Sequence, residues 1–235
     1  MDRALSPDTS VIPDAADSGA KPLVIFDCDG VLVDSEVLTT KVEVALLAEY
    51  GWNTTQAEVM ELFLGRSDSY MLAEVERRVG HKLPDWLERY NYERNKAFRD
   101  ELTTVEGVVD AIEHLESEGF TTCVASSGTH EKMRFTLGLT GLWDRFEGRI
   151  FSATQVEHGK PAPDLFLFAA AQMGRTPSGC VVVEDSPAGV AAARAAAMTC
   201  VAYASEYVDP AVFADASAVI TLMSDLVDAM AALSY

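Results

Sequence analysis

Two pairs of acids sit where chemistry is expected. Asp27 and Asp29 follow the apolar run Leu23-Val24-Ile25-Phe26, and Glu184-Asp185 follows Val181-Val182-Val183. Each run is short, apolar and β-branched or aromatic, as buried strands are. Carboxylates crowded at a strand tip repel one another, and a hard divalent cation such as Mg²⁺ relieves that repulsion by taking oxygen ligands. Gly30 lets the chain turn tightly after Asp29, so both carboxylates of the first pair can aim into one pocket. A lone Asp-x-Asp is commonly a solvated turn. Two acid-tipped strands in one sheet favour a metal site.

The elements that must position these acids alternate. Apolar runs at 23–27, 122–126, 149–152, 180–184 and 200–204 read as parallel strands, and stretches 107–118, 130–139, 163–173 and 187–197 carry helical spacing. The order predicts an α/β fold, a doubly wound parallel sheet whose ligands lie outside the carboxyl ends of the strands. Asp27 falls at such an end. Residues 35–102 hold helical patterns without a strand-like run, which predicts an inserted helical cap between core segments 21–34 and 103–235. Residues 1–20, with Pro7 and Pro13 and no apolar periodicity, read as a disordered leader.

Composition narrows the partners. With 37 acidic and 18 basic residues in 235, the formal charge is -19, which speaks against nucleic acid and anionic membranes as partners. An anionic substrate must be met by local positive charge. Cys28, Cys123, Cys180 and Cys200 lack metal or redox spacing and read as buried free thiols in a reducing cytoplasm. No apolar run reaches the roughly 18 residues of a membrane span. The histidines lack ligand spacing, and Trp52, Trp86 and Trp143 read as packing residues.

Two further motifs complete an ordered set: Ser126 after Val124-Ala125, and Lys160 in Gly159-Lys160-Pro161-Ala162-Pro163-Asp164. With Asp27-x-Asp29 and Glu184-Asp185 they span roughly residues 22–205, and in this set the chain resembles the haloacid dehalogenase superfamily, in its phosphatase branch with a helical cap. The resemblance implies that Asp27 is a nucleophile forming an aspartyl-phosphate, and that Asp29 passes protons, for which its carboxyl must be held near neutral. It implies Mg²⁺ on Asp27, the backbone carbonyl of Asp29 and Asp185, with Glu184 bound directly or through water. Ser126, with the N–H groups of Ser127 and Gly128, and Lys160 would hold phosphoryl oxygens. Arg66, in Leu64-Gly65-Arg66-Ser67, resembles the family's specificity loop and is a candidate substrate contact; Arg89, Arg94, Lys96 and Arg99 are a second supply of positive charge. Asp34, Ser35 and Glu36 read as a cap for the first helix of the insert.

Three departures narrow the activity. An acid at Asp29 disfavours dehalogenation, because a leaving halide needs no proton. Thr39 stands where the related β-phosphoglucomutase carries a histidine, and Lys41 reads as a solvated helix residue rather than a Schiff-base lysine. The expectation is a Mg²⁺-dependent phosphatase for a small phosphorylated metabolite, a sugar phosphate or phosphorylated sugar acid. Phosphomutase chemistry and a non-catalytic binder of phosphorylated ligands are the alternatives.

Overall fold

The computed structural model describes residues 21–63 and 68–233. The leader expected at 1–20 and the candidate contact Arg66 lie outside the described residues.

Among the described residues six parallel strands form one sheet: β1 (Leu23–Phe26), β2 (Thr121–Ser126), β3 (Ile150–Ser152), β4 (Cys180–Glu184), β5 (Thr199–Tyr203) and β6 (Ala218–Ile220), in the order β3-β2-β1-β4-β5-β6. Leu23 pairs with Thr121 on one side and with Cys180 on the other, so β1 is central. Every residue of β1 is buried because both faces are covered. Val24 and Phe26 join one core with Val124, Val181 and Val183, against α5 (Val108–Ser117) and α9 (Leu226–Ala232). Leu23 and Ile25 join the other with Ala125 and Val182, against α7 (Asp164–Gln172) and α8 (Pro187–Ala195). The period-2 split between faces is what the pleat dictates. β6, three residues of which only Ile220 is buried, lies beyond the five strands the sequence suggests.

Among the described residues four helices intervene between β1 and α5: α1 (Ser35–Glu49), α2 (Gln56–Phe63), α3 (Asp68–Val79) and α4 (Trp86–Glu101). They share a core of their own that includes Leu47, Trp52, Val59, Val75, Trp86 and Tyr90. The Trp86 and Tyr90 rings stack with centroids 5.2 Å apart. Their two connections to the sheet run side by side: Asp34 N–H donates to Thr103 O at 3.0 Å, and Val33 bridges Thr104 antiparallel. All four cysteines are free and buried. Among the described residues no helix is long and apolar enough to cross a membrane.

Candidate active site

Asp27 is fixed by the sheet itself. Its N–H donates to Val183 O at 2.9 Å, continuing the pairing of β1 with β4 one residue past the strand. The chain then turns, with Gly30 at φ 73° and the N–H groups of Leu32 and Val33 on Cys28 O. Gly30 is required twice over: its backbone lies in the left-handed region, and a Cβ there would fall 1.9 Å from Asp185 Oδ2. The first and second acid pairs therefore meet at one place.

Lys160 joins them. Its Nζ donates to Asp27 Oδ1 at 2.6 Å, Glu184 Oε1 at 2.6 Å and Ala125 O at 3.2 Å, which uses all three ammonium donors. The other Glu184 oxygen accepts from Ser186 N–H at 2.8 Å and Ser186 Oγ at 2.9 Å. Ser186 also caps α8, and Gly189 in the first turn of that helix leaves the room Glu184 fills: a Cβ on Gly189 would lie 1.9 Å from its carboxylate.

Asp29 has different partners. Ser35 Oγ donates to Oδ1 at 2.8 Å, and Lys132 Nζ, from α6 (His130–Leu139), donates to Oδ2 at 2.7 Å. The capping role expected of Asp34 and Ser35 is corrected here, since Asp34 makes no side-chain cap bond to α1 and Ser35 turns to Asp29. Ser126 Oγ accepts from Gly128 N–H at 3.1 Å, and Ser152 Oγ donates to Gly128 O at 2.7 Å, so β3 holds the loop that follows β2. Thr129 caps α6. A Cβ at Gly128 would lie 3.8 Å from Asp29 Oδ2, which brings this loop beside the second acid.

The electrostatics are divided. Burial pushes the Asp27 carboxyl up to about 7, with Lys160 pulling down and Glu184 and Asp29 pushing up. Burial, then Glu184, Asp27 and Glu36, drives Asp185 well above the usual carboxylate range. Glu36 rises to about 7 through burial and the nearby Asp29 charge. Burial would raise Asp29 as well, but Lys132, Ser35 and Arg94 outweigh it and hold this carboxyl low. The expectation that its surroundings keep Asp29 near neutral is therefore corrected: a cation 2.7 Å away favours the ionised form. Both ammonium groups are held charged, Lys160 by Asp27 and Glu184 and Lys132 by Asp29, against burial.

These residues line a cleft of about 530 Å³ between the sheet and the inserted helices. Asp27, Asp29, Ser126, Ser127, Gly128, Lys160, Glu184 and Asp185 are all on its wall, together with Glu36, Thr39, Glu43, Tyr90, Arg94 and Lys132. Of the four cations expected in the 89–99 stretch, Arg94 faces the cleft, whereas Arg89 pairs with Glu49 and Lys96 and Arg99 are exposed. Among the described residues no three His, Cys, Asp or Glu side chains converge closely enough to hold a metal alone. The lining nevertheless carries six carboxylates against Lys132, Lys160 and Arg94. That excess, with the strained ionisation of Asp185, fits a hard cation bound by two carboxylates and a backbone carbonyl.

Residues 24–203 match the haloacid dehalogenase-like hydrolase model, and the chain belongs to that family. It is 30% identical over 168 residues to 6-phosphogluconate phosphatase of Escherichia coli K12, spanning 71% of this chain and 75% of that protein. It is 30% identical over 176 residues to the phosphorylated carbohydrates phosphatase of Thermotoga maritima, spanning 74% and 80%. The crystal structure of a conserved haloacid dehalogenase-like protein of Agrobacterium tumefaciens, 33% identical, matches with a TM-score of 0.81 over 91% of this chain and 99% of that one.

Proposed function

We propose that this chain is a Mg²⁺-dependent phosphoric monoester hydrolase acting on a small phosphorylated sugar or sugar acid, with Asp27 carrying the phosphoryl group between two steps. The observation that carries the reading is the state of the Asp27 carboxylate. One oxygen is held by Lys160, Oδ2 has no protein donor among the described residues, and Asp27 lines the cleft. A carboxylate held by one oxygen and open at the other is oriented for attack. The activities of the relatives from E. coli and T. maritima support the substrate class.

In the first step Asp27 Oδ2 attacks phosphorus, the P–O bond to the leaving group breaks, and the leaving oxygen takes a proton. In the second, water attacks phosphorus and the P–O bond to Asp27 breaks, freeing the carboxylate. Asp29 is the proton carrier. Its ionised state suits it to take the proton of that water, and donating one in the first step requires the Lys132 contact to loosen, since that contact keeps it ionised. The N–H groups of Ser127 and Gly128 hold phosphoryl oxygens, and Lys160, whose three donors go to Asp27, Glu184 and Ala125 O, adds its charge beside them. Gly128 N–H rests on Ser126 Oγ until then.

Asp27, the Asp29 carbonyl and Asp185 would hold Mg²⁺, which when bound supplies positive charge between the nucleophile and the phosphoryl oxygens. Glu184 has a different part in this reading from the metal role expected of it. Both of its oxygens are taken by Lys160 and Ser186, so it aims Lys160. Residues 35–102 act as the cap that closes over the cleft and excludes water.

The test is phosphate release from a panel of phosphorylated metabolites with Mg²⁺ and after chelation, together with capture of a beryllium fluoride adduct on Asp27. Metal-dependent release and an adduct that Asp27→Asn abolishes are expected. Full turnover under thorough chelation, or release in the Asp27→Asn variant, overturns the reading.

A further inference from the structure

Besides Lys160, two cations, Lys132 and Arg94, line the cleft. Lys160 is committed to Asp27 and Glu184. Lys132 gives one N–H to Asp29 Oδ2, and among the described residues no other acceptor meets its ammonium, although a third of its side chain (34%) is exposed. Arg94 enters from α4, on the cap side of the same cleft. Its Nη2 donates to Asn91 Oδ1 at 2.6 Å and its guanidinium lies 4.9 Å from the Tyr90 ring centroid, contacts that set the direction of the planar group. Arg94 and Lys132 line the cleft together with Asp29 and Glu36, and both cations favour the ionised form of those two acids.

Building on the phosphatase reading of this site, we infer that Arg94 and Lys132 form a subsite for a second anionic group of the substrate, and that this group is a carboxylate. Lys132 is matched by Asp29 through one N–H, which leaves ammonium donors directed to the cleft that a substrate anion can take. A guanidinium fork and an ammonium with donors to spare match the two oxygens of a carboxylate. A second phosphate fits worse. Glu36 and Glu43 stand on the same wall, and two cations already shared with Asp29 balance one added negative charge better than two. The substrate class is thereby narrowed from phosphorylated sugars in general to phosphorylated sugar acids.

The experiment measures kcat/KM of the full chain with Mg²⁺ on three substrates of one carbon skeleton: a hexonic acid 6-phosphate, the hexitol phosphate bearing CH₂OH in place of the carboxylate, and a hexose bisphosphate. The wild type is expected to prefer the acid over the hexitol phosphate by about 10- to 100-fold, the range of a charge-assisted hydrogen-bond pair. Arg94→Gln and Lys132→Gln should each move that preference toward parity, with Arg94→Lys restoring part of it. Lys132→Gln also slows every substrate through Asp29, and the ratio between substrates is insensitive to that loss. Equal wild-type kcat/KM on acid and hexitol, a preference for the bisphosphate, or a preference that survives in both variants overturns the subsite and leaves the phosphatase reading standing. Failure to release phosphate from any substrate, including a simple aryl phosphate, overturns both.

Discussion

Lys132 Nζ lies 2.7 Å from Asp29 Oδ2, an ion pair that ties α6 to the turn after β1 across 103 residues of chain. Removing the cation leaves a largely buried carboxylate with Ser35 as its remaining side-chain donor among the described residues. We expect Lys132→Met to lose about 1–3 kcal/mol at pH 7 in chelator, less than a fully buried pair because Lys132 is partly exposed. The folded state holds Asp29 below its ordinary value, so the stabilisation is complete above about pH 4 and is lost as pH falls through the folded value. Urea unfolding between pH 7 and pH 3 should show the gap between wild type and variant closing. A gap that stays constant to pH 3 means the pair is not its source.

Asp185 predicts the opposite sign. Burial and three neighbouring acids disfavour its charge, so ionised Asp185 opposes folding at neutral pH when no metal is bound. Asp185→Asn should raise the melting temperature in chelator, by roughly 2–4 °C for each kcal/mol relieved. About 1 kcal/mol is a fair figure, since Asp185 keeps part of its surface open to the cleft. The same variant should lose both activation and thermal stabilisation by Mg²⁺. Differential scanning calorimetry with and without the ion reads both effects, and a lower apo melting temperature contradicts the electrostatic argument.

Gly189 sits in a helix where alanine ordinarily helps by up to about 1 kcal/mol. Here the added Cβ meets the Glu184 carboxylate at 1.9 Å. Gly189→Ala should therefore cost about 1–3 kcal/mol and displace the group that aims Lys160, lowering kcat at least about tenfold. Gly138, in α6 with nothing within 4 Å of its added Cβ, is the control: Gly138→Ala should be neutral or stabilising by denaturant melts. Equal behaviour of the two variants removes the steric explanation.

Thr39 lines the cleft where a mutase would carry a titrating histidine. Its hydroxyl cannot exchange protons near neutral pH. The protein should release inorganic phosphate from hexose phosphates without interconverting β-glucose 1-phosphate and glucose 6-phosphate, even when primed with the bisphosphate. Interconversion faster than phosphate release, followed by phosphorus NMR, would promote the mutase chemistry.

β1 and β4 were legible because each is buried along its length and is tipped by an acid pair, a pattern that needs no tertiary knowledge. β6 escaped because it is three residues long and one of them, Val219, is exposed, so no apolar run marks it. Lys132 is harder, since nothing local says that it reaches Asp29. Yet it left a trace: a lysine three residues past the cap Thr129 sits in the first turn, where a positive charge opposes the helix dipole. Arg94 left another. Trp86, Tyr90 and Phe98 form the buried stripe of α4 at four-residue spacing, and position 94 falls on it between Tyr90 and Phe98. A local rule broken without compensation is where function is expected. The state of Asp29 was not legible at all, because it is set by a partner from another element.

The paired connections at Asp34–Thr103 and Val33–Thr104 bear on how the chain folds. β1 must find β2 across the whole insert, and closing so long a loop as a flexible coil costs on the order of a few kcal/mol before any strand contact repays it. α1 packs against α4, so the first and last helices of the insert bring its ends together. An insert that folds on its own turns that long closure into a short one, and α1 to α4 then act as an internal clamp on the nucleation of the sheet.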